Sequence, residues 1–301
     1  RDSSTSRGLG DVYKRQVNNS LTFSTGTQKH QTYFSAATTN ARNILPNSGY
    51  NRYNFTFRDV TKFLKDKLTV DLSASYILQD NKNMIAAGKY FNPLPALYLF
   101  PRGDDFDNVR LYQRWDESRN LYTQAWDYGS GDMSFQNPYW IMNKMINQTK
   151  KRRYMLSANL KYDVTDWLDV TGRVKVDNAD MDITEKRYAG TDTNFAGEKG
   201  MYSIIKRNDR QIYADAIANI DLTFAGDYHL SANVGASLKD VRMDFMGWGG
   251  DLRKIPNFFS ITNISTTNYK EREDGSHIQS QSIFANVELA WKSMLYLTAV
   301  S

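Results

Sequence analysis

The chain has 301 residues, of which 24% are charged, a formal net charge of +5 and no cysteine. Without thiols there are no disulfides, no thiol catalysis and no thiolate metal sites, and the positive charge is scattered among Asp and Glu, which argues against a nucleic-acid partner. Mean hydropathy is -0.61 and no apolar run approaches the roughly 18 residues of a membrane helix; a transmembrane β-barrel also reads this way, because only half of each strand faces lipid.

Residues 1–16, RDSSTSRGLGDVYKRQ, resemble a translated sequencing adapter, with Ser6 to Gln16 in frame through its mosaic end. They are set aside as non-native, leaving 17–301 as one domain. Ser20–Thr25 and His30–Ala37 read as strands across a turn at Gly26, followed by a polar loop from Thr38 to Gly49. Tyr53, Phe55 and Phe57 alternate with polar residues in the next strand. A turn near Lys65 leads to Leu68, Val70, Leu72, Ala74, Tyr76 and Leu78, opposite Thr69, Asp71, Ser73 and Ser75. Successive strand side chains point to opposite faces, so period two means strand.

From Asn81 to Lys150 the alternation stops. This stretch holds YFNPLPALYLFPRG (Tyr90–Gly103), a predicted short helix near Val109 to Trp126, and NPYWIMNK (Asn137–Lys144). The longest alternating pattern follows, Tyr154 to Val176, with a tight turn at Thr165 and Asp166. Tyr154, Leu156, Ala158, Leu160 and Tyr162 share a face with Leu168, Val170, Val174 and Val176. A loop is predicted from Ile183 to Arg207. Strands Ile212–Phe224 and Tyr228–Leu238 flank a turn at Gly226. A second long loop is predicted from Phe245 to Ser276, then a strand ending at Trp291, a turn at Lys292–Ser293 and a last strand, Leu295–Ser301.

This makes ten strands in an antiparallel up-and-down order. Short turns fall at one end and longer loops at the other, the asymmetry of outer-membrane barrels. Phe63, Tyr162, Trp167, Phe224, Tyr228, Trp291 and Tyr296 flank the short turns, as expected of an aromatic belt at a membrane–water interface. The apolar faces of the central strands carry no charge. Asp71, Lys161, Asp163, Asp169, Arg173, Lys175, Asp215, Asp221 and Glu288 lie on the opposite faces, where a polar lumen accepts them.

No catalytic or metal constellation emerges. His30, His229 and His277 lack ligand spacing, Gly103–Asn108 lacks the spacing of a calcium loop, and no cofactor is implied. The 81–150 stretch is rich in rings, among them Tyr90, Phe91, Trp115, Trp126, Tyr139 and Trp140. These are candidates for contact with a substrate or a covering partner, since rings offer large contact area while tolerating water. Packing of the loop into its own core is the competing reading.

The segments Thr32–Phe63, Tyr90–Gly103, Asn137–Lys144, Leu160–Asp177, Ala232–Ser237 and the ending AWKSMLYLTAVS resemble the barrel of SusC/RagA-type TonB-dependent transporters of Bacteroidetes outer membranes. The resemblance implies a barrel of about 22 strands around a plug, of which this chain is a partial barrel. It also implies localisation in the bacterial outer membrane, energy from TonB-ExbB-ExbD, a SusD-like surface lipoprotein, and oligosaccharide or sometimes peptide substrates. No enzyme activity is implied. The plug, the TonB box and the later strands are expected to lie outside this sequence. The alternatives are a passive porin or structural barrel, and a soluble β-sandwich carbohydrate-binding module.

Overall fold

The computed structural model describes residues 13–86, 88–128, 135–267, 270–292 and 294–300. Residues 1–12 of the adapter-like segment, Ser293 of the last predicted turn and Ser301 lie outside the described residues. The strands of the main sheet are β1 (Tyr13–Gly26), β2 (His30–Asn43), β3 (Gly49–Phe63), β4 (Leu68–Lys82), β7 (Met145–Thr165), β8 (Leu168–Tyr188), β9 (Gly200–Phe224), β10 (Tyr228–Asp251), β11 (Lys270–Trp291) and β12 (Leu295–Val300). They form one 10-stranded sheet in sequence order, antiparallel throughout. Among the described residues β1 and β12 are its edges. β1 begins inside the segment set aside as adapter, pairing Tyr13 with Asn43 before a register shift.

The register gives the strand tilt. The cross-strand row through Phe63 and Leu68 passes Tyr162, Val170 and Ala218 and reaches Val234 on β10. The turn end of β10 is Tyr228, six residues away. Six residues at about 3.3 Å, over five interstrand steps of about 4.8 Å, give a tilt of about 40°, within the range of transmembrane barrels. The apolar run on β10 extends from Tyr228 to Leu238. At that tilt it stands about 25 Å high, the height of an outer-membrane barrel's lipid-facing band.

The strands run further toward the loop end than alternation of polarity predicts. The loop expected over 38–49 is only 44–48, that over 183–207 is 189–199, and that over 245–276 is 252–269. The reason is chemical. Above the apolar band both faces are polar, so hydrophobic period vanishes while pairing continues. Asp182 faces Lys150 on one side and Lys206 on the other, and Arg152 Nη2 reaches Asp182 Oδ2 at 3.2 Å. The turn/loop asymmetry therefore holds for three of the connections at this end, and 44–48 is nearly as tight as a turn.

Between β4 and β7 lie helix α1 (Pro93–Tyr98), helix α2 (Asp107–Arg110), strands β5 (Gln113–Asp116) and β6 (Leu121–Gln124), and helix α3 (Pro138–Lys144). The helix predicted near Val109–Trp126 is thus mostly a small hairpin. Asp116 makes its turn, accepting from the N–H groups of Ser118 (3.0 Å) and Arg119 (3.2 Å), while Trp115 and Tyr122 form a cross-strand pair. Such aromatic pairs stabilise strands directly.

Candidate functional site

The functional surfaces follow from the two faces of the sheet and from the cap at its loop end. On the outward face the girdle residues Phe63, Tyr162, Phe224, Tyr228 and Trp291 are all exposed, and Phe224 stacks on Tyr228 at 5.5 Å. Trp167 is exposed within the β7–β8 turn. Tyr296 departs from the belt. It pairs with Ala290, whereas Trp291 pairs with Leu295, so Tyr296 lies on the opposite face, with Glu288 and Thr298. The sequence reading missed this because one residue of phase flips a strand side chain to the other face.

It also missed Asp59. Asp59 shares the outward face with Phe57 and Phe63, an otherwise apolar stretch. Its oxygens are occupied locally: Thr32 Oγ1 donates at 2.7 Å and Thr61 Oγ1 at 2.8 Å, with His30 Nε2 at 3.4 Å.

On the inward face the charges interlock across strands. Arg58 donates in bidentate fashion to Asp71, at 2.9 and 2.8 Å, and Asn159 Nδ2 reaches the same carboxylate at 3.5 Å. Arg173 Nε donates to both oxygens of Asp215, at 2.9 and 3.0 Å; the Asp215 side chain is 0% exposed. Arg153 grips Asp177 through Nε to one oxygen and Nη2 to the other, as Arg58 grips Asp71. Ser73 and Ser157 bond at 2.8 Å between these pairs. Planar guanidinium forks fit carboxylates in two places at once, so the wall presents fixed, oriented charge. Such a wall suits passage of a hydrated polar solute. Among the described residues no group of three or more His, Cys, Asp or Glu is placed to hold a metal ion.

The cap is built around Trp140. The ring is 0% exposed, in a cluster with Ile141 and Met145 and with Phe91, Tyr112 and Tyr188 against it. Its Nε1 donates to Thr191 Oγ1 at 2.9 Å. Asn137 caps α3 by accepting from the N–H of Tyr139 at 2.8 Å, and donates to the carbonyls of Val109 (2.9 Å) and Ala125 (3.0 Å). The β5–β6 hairpin leans on Gly190, whose carbonyl accepts from the N–H of Gln124 at 3.2 Å. Here φ is +90°, and a Cβ would lie 2.5 Å from Thr123 Cα, so only glycine fits.

Of the ring residues singled out from sequence, Trp140 has no face to offer a ligand. Phe91 is half-buried, with Phe195 edge-on at 5.2 Å and the Arg187 guanidinium over it at 4.5 Å. Tyr90 leans on Phe195 at 5.2 Å, Trp126 meets Tyr128 at 5.0 Å, and Tyr139 is half-buried. Trp115 stands out, 50% exposed and edge-on to the equally exposed Tyr122 at 5.1 Å. Tyr122 belongs beside it as a candidate contact; the hairpin that couples them was hidden by the helix prediction.

No protein-family model matches the sequence, and no curated protein matches it. Solved structures do. The chain superposes on the RagAB peptide transporter with a TM-score of 0.71 and 13% identity, covering 96% of this chain and 32% of that one. The RagAB peptide importer in its closed-closed state gives 0.72 and 13%, covering 97% and 32%. The siderophore receptor PiuA from Acinetobacter baumannii gives 0.52 and 12%, covering 90% and 38%. The chain spans about a third of the length of these structures. At such identities the likeness is one of fold: the sheet is a partial barrel of the kind these transporters contain.

Proposed function

We propose that this chain is a barrel segment of a SusC/RagA-type active importer in a bacterial outer membrane. One observation carries the reading. The sheet has a tilted, outward apolar band about 25 Å high, an aromatic girdle at the turn end and an inward ladder of Arg–Asp pairs. The likeness to RagAB over nearly the whole chain supports it further.

In the intact protein the ladder lines the lumen around a plug, TonB-ExbB-ExbD supplies the energy, and a SusD-like lipoprotein covers the mouth above the cap. The cargo is an oligosaccharide, as the resemblance implies. A peptide cargo is the second reading, favoured by the name of the peptide transporter on which the chain superposes. The protein's part is binding and passage, with no covalent step.

The test is deletion of the full-length gene in its host, with uptake of fluorescent oligosaccharides and peptides measured side by side, with and without a protonophore. Loss of energy-dependent oligosaccharide uptake is the expected result. Uptake that ignores the protonophore belongs to a passive pore and overturns the reading.

A further inference from the structure

High on the inward face, between β8, β9, β10 and β11, lies a cavity of about 640 Å³. Its wall includes Arg187, Lys270 and Arg272, with Phe195, Phe245 and Ser203. The register places Lys270 opposite Gly249 and Arg272 opposite Gly247, so both cations stand across from positions without side chains. A Cβ at Gly249 would meet Ser203 Oγ at 2.9 Å, and one at Gly247 would meet Ile205 Cγ1 at 3.2 Å. The glycines keep the floor low where the cations project, free of bulk that would fill it.

Charge decides what this cavity takes. Arg187 is held by Glu185 at 3.2 Å and donates to the Phe195 carbonyl at 2.8 Å. Arg272 lies over the Phe245 ring at 5.0 Å. Among the described residues no carboxylate pairs with Lys270 or Arg272, and both are exposed. Among the described residues that line the wall Asp251 is the one carboxylate, and it is engaged, its Oδ1 accepting from the N–H of Gly197 at 2.8 Å. Two cations without carboxylate partners, beside the half-buried Phe245 ring and the Ser203 hydroxyl, fit an anionic sugar: the cations take its carboxylate or sulfate, the hydroxyl bonds its hydroxyl groups, and Phe245 takes the apolar face of a pyranose unit.

We infer that this cavity is a substrate subsite and that the imported oligosaccharide is acidic, bearing uronate or sulfate groups. The inference rests on the importer reading above and narrows its substrate class. The test uses the full-length transporter, purified in detergent. Binding of an oligogalacturonate hexasaccharide is compared with that of its carboxyl-reduced, neutral form and of a hexaglutamate peptide. The acidic sugar is expected to bind most tightly, and Arg272→Gln or Lys270→Gln to weaken it about tenfold each, with little change for the neutral form. Glu271→Gln, on the outward face of the same strand, serves as the control and is expected to change nothing. Equal binding of acidic and neutral sugars, tighter binding of the peptide, or indifference to both substitutions overturns the inference. Energy-dependent uptake of neutral oligosaccharides in the host would still stand in that case, so failure here is separable from failure of the importer reading.

Discussion

The spanning band and the cap are made from the same chain by opposite rules. In the band each residue's environment is set by its parity: Val234 faces outward and Asn233 inward, and the pattern repeats on every neighbouring strand. In the cap nothing repeats. Trp140 is sealed and Trp115 half exposed, though both are tryptophans in the same loop. Stability in the band is therefore spread over many equivalent positions, whereas the cap hangs on a few side chains and their hydrogen bonds.

That difference can be broken from either side. The largest effect is expected from Trp140→Ala, which empties the centre of the cap and costs about 3–5 kcal/mol. Limited proteolysis of the full-length protein should then cut within 83–144, while the heat-induced mobility shift of the barrel stays unchanged. Val234→Arg should do the reverse. It places a charge in the middle of the outward band, at about 2–4 kcal/mol, and should lower the temperature of the mobility shift with the cap still protected. Cap and barrel failing together in either variant would contradict their independence.

Next comes the inward ladder. Arg173→Ala leaves the buried Asp215 carboxylate without its fork, at about 2–3 kcal/mol. The double variant with Asp215→Asn should recover much of the loss, since a neutral amide needs no counter-charge; thermal unfolding of the two variants reads this out. The smallest effect is in the β5–β6 turn. The Ser118 hydroxyl, then the backbone N–H groups of Arg119 and Ser118, hold the Asp116 carboxyl below its ordinary value. A depressed folded-state value means the turn is supported above the ordinary carboxylate range and loses that support as pH falls through the lowered value. Protection of the Ser118 and Arg119 amides, taken as the intrinsic exchange rate over the observed one at each pH, should fall on acidification below about pH 4, and Ser118→Ala should shift that onset upward.

The same contrast explains what the sequence made legible. The ten strands, their order and the two faces follow from alternation, because an apolar face set against a polar one repeats at every second residue, as from Tyr228 to Leu238. Strand ends at the loop side were hidden where Lys150, Asp182 and Lys206 pair, since polar alternating with polar leaves no period. Tyr296 was misplaced because proximity to a turn does not fix parity. The cap was legible only as a list of rings: which of them is core depends on partners such as Thr191 for Trp140, far along the chain.

The central claim is that one face of this sheet meets lipid and the other meets water. This stretch has no cysteine of its own, so the claim is directly testable in the full-length protein in outer membranes, once any cysteine elsewhere in that protein is replaced by serine. Single substitutions Ser231→Cys, Ala232→Cys, Asn233→Cys, Val234→Cys, Ala236→Cys and Ser237→Cys along β10 would be probed with a charged maleimide. The account predicts labelling at 231, 233 and 237 and protection at 232, 234 and 236. Labelling of both sets alike would mean that water reaches both faces, and would contradict a membrane-spanning wall.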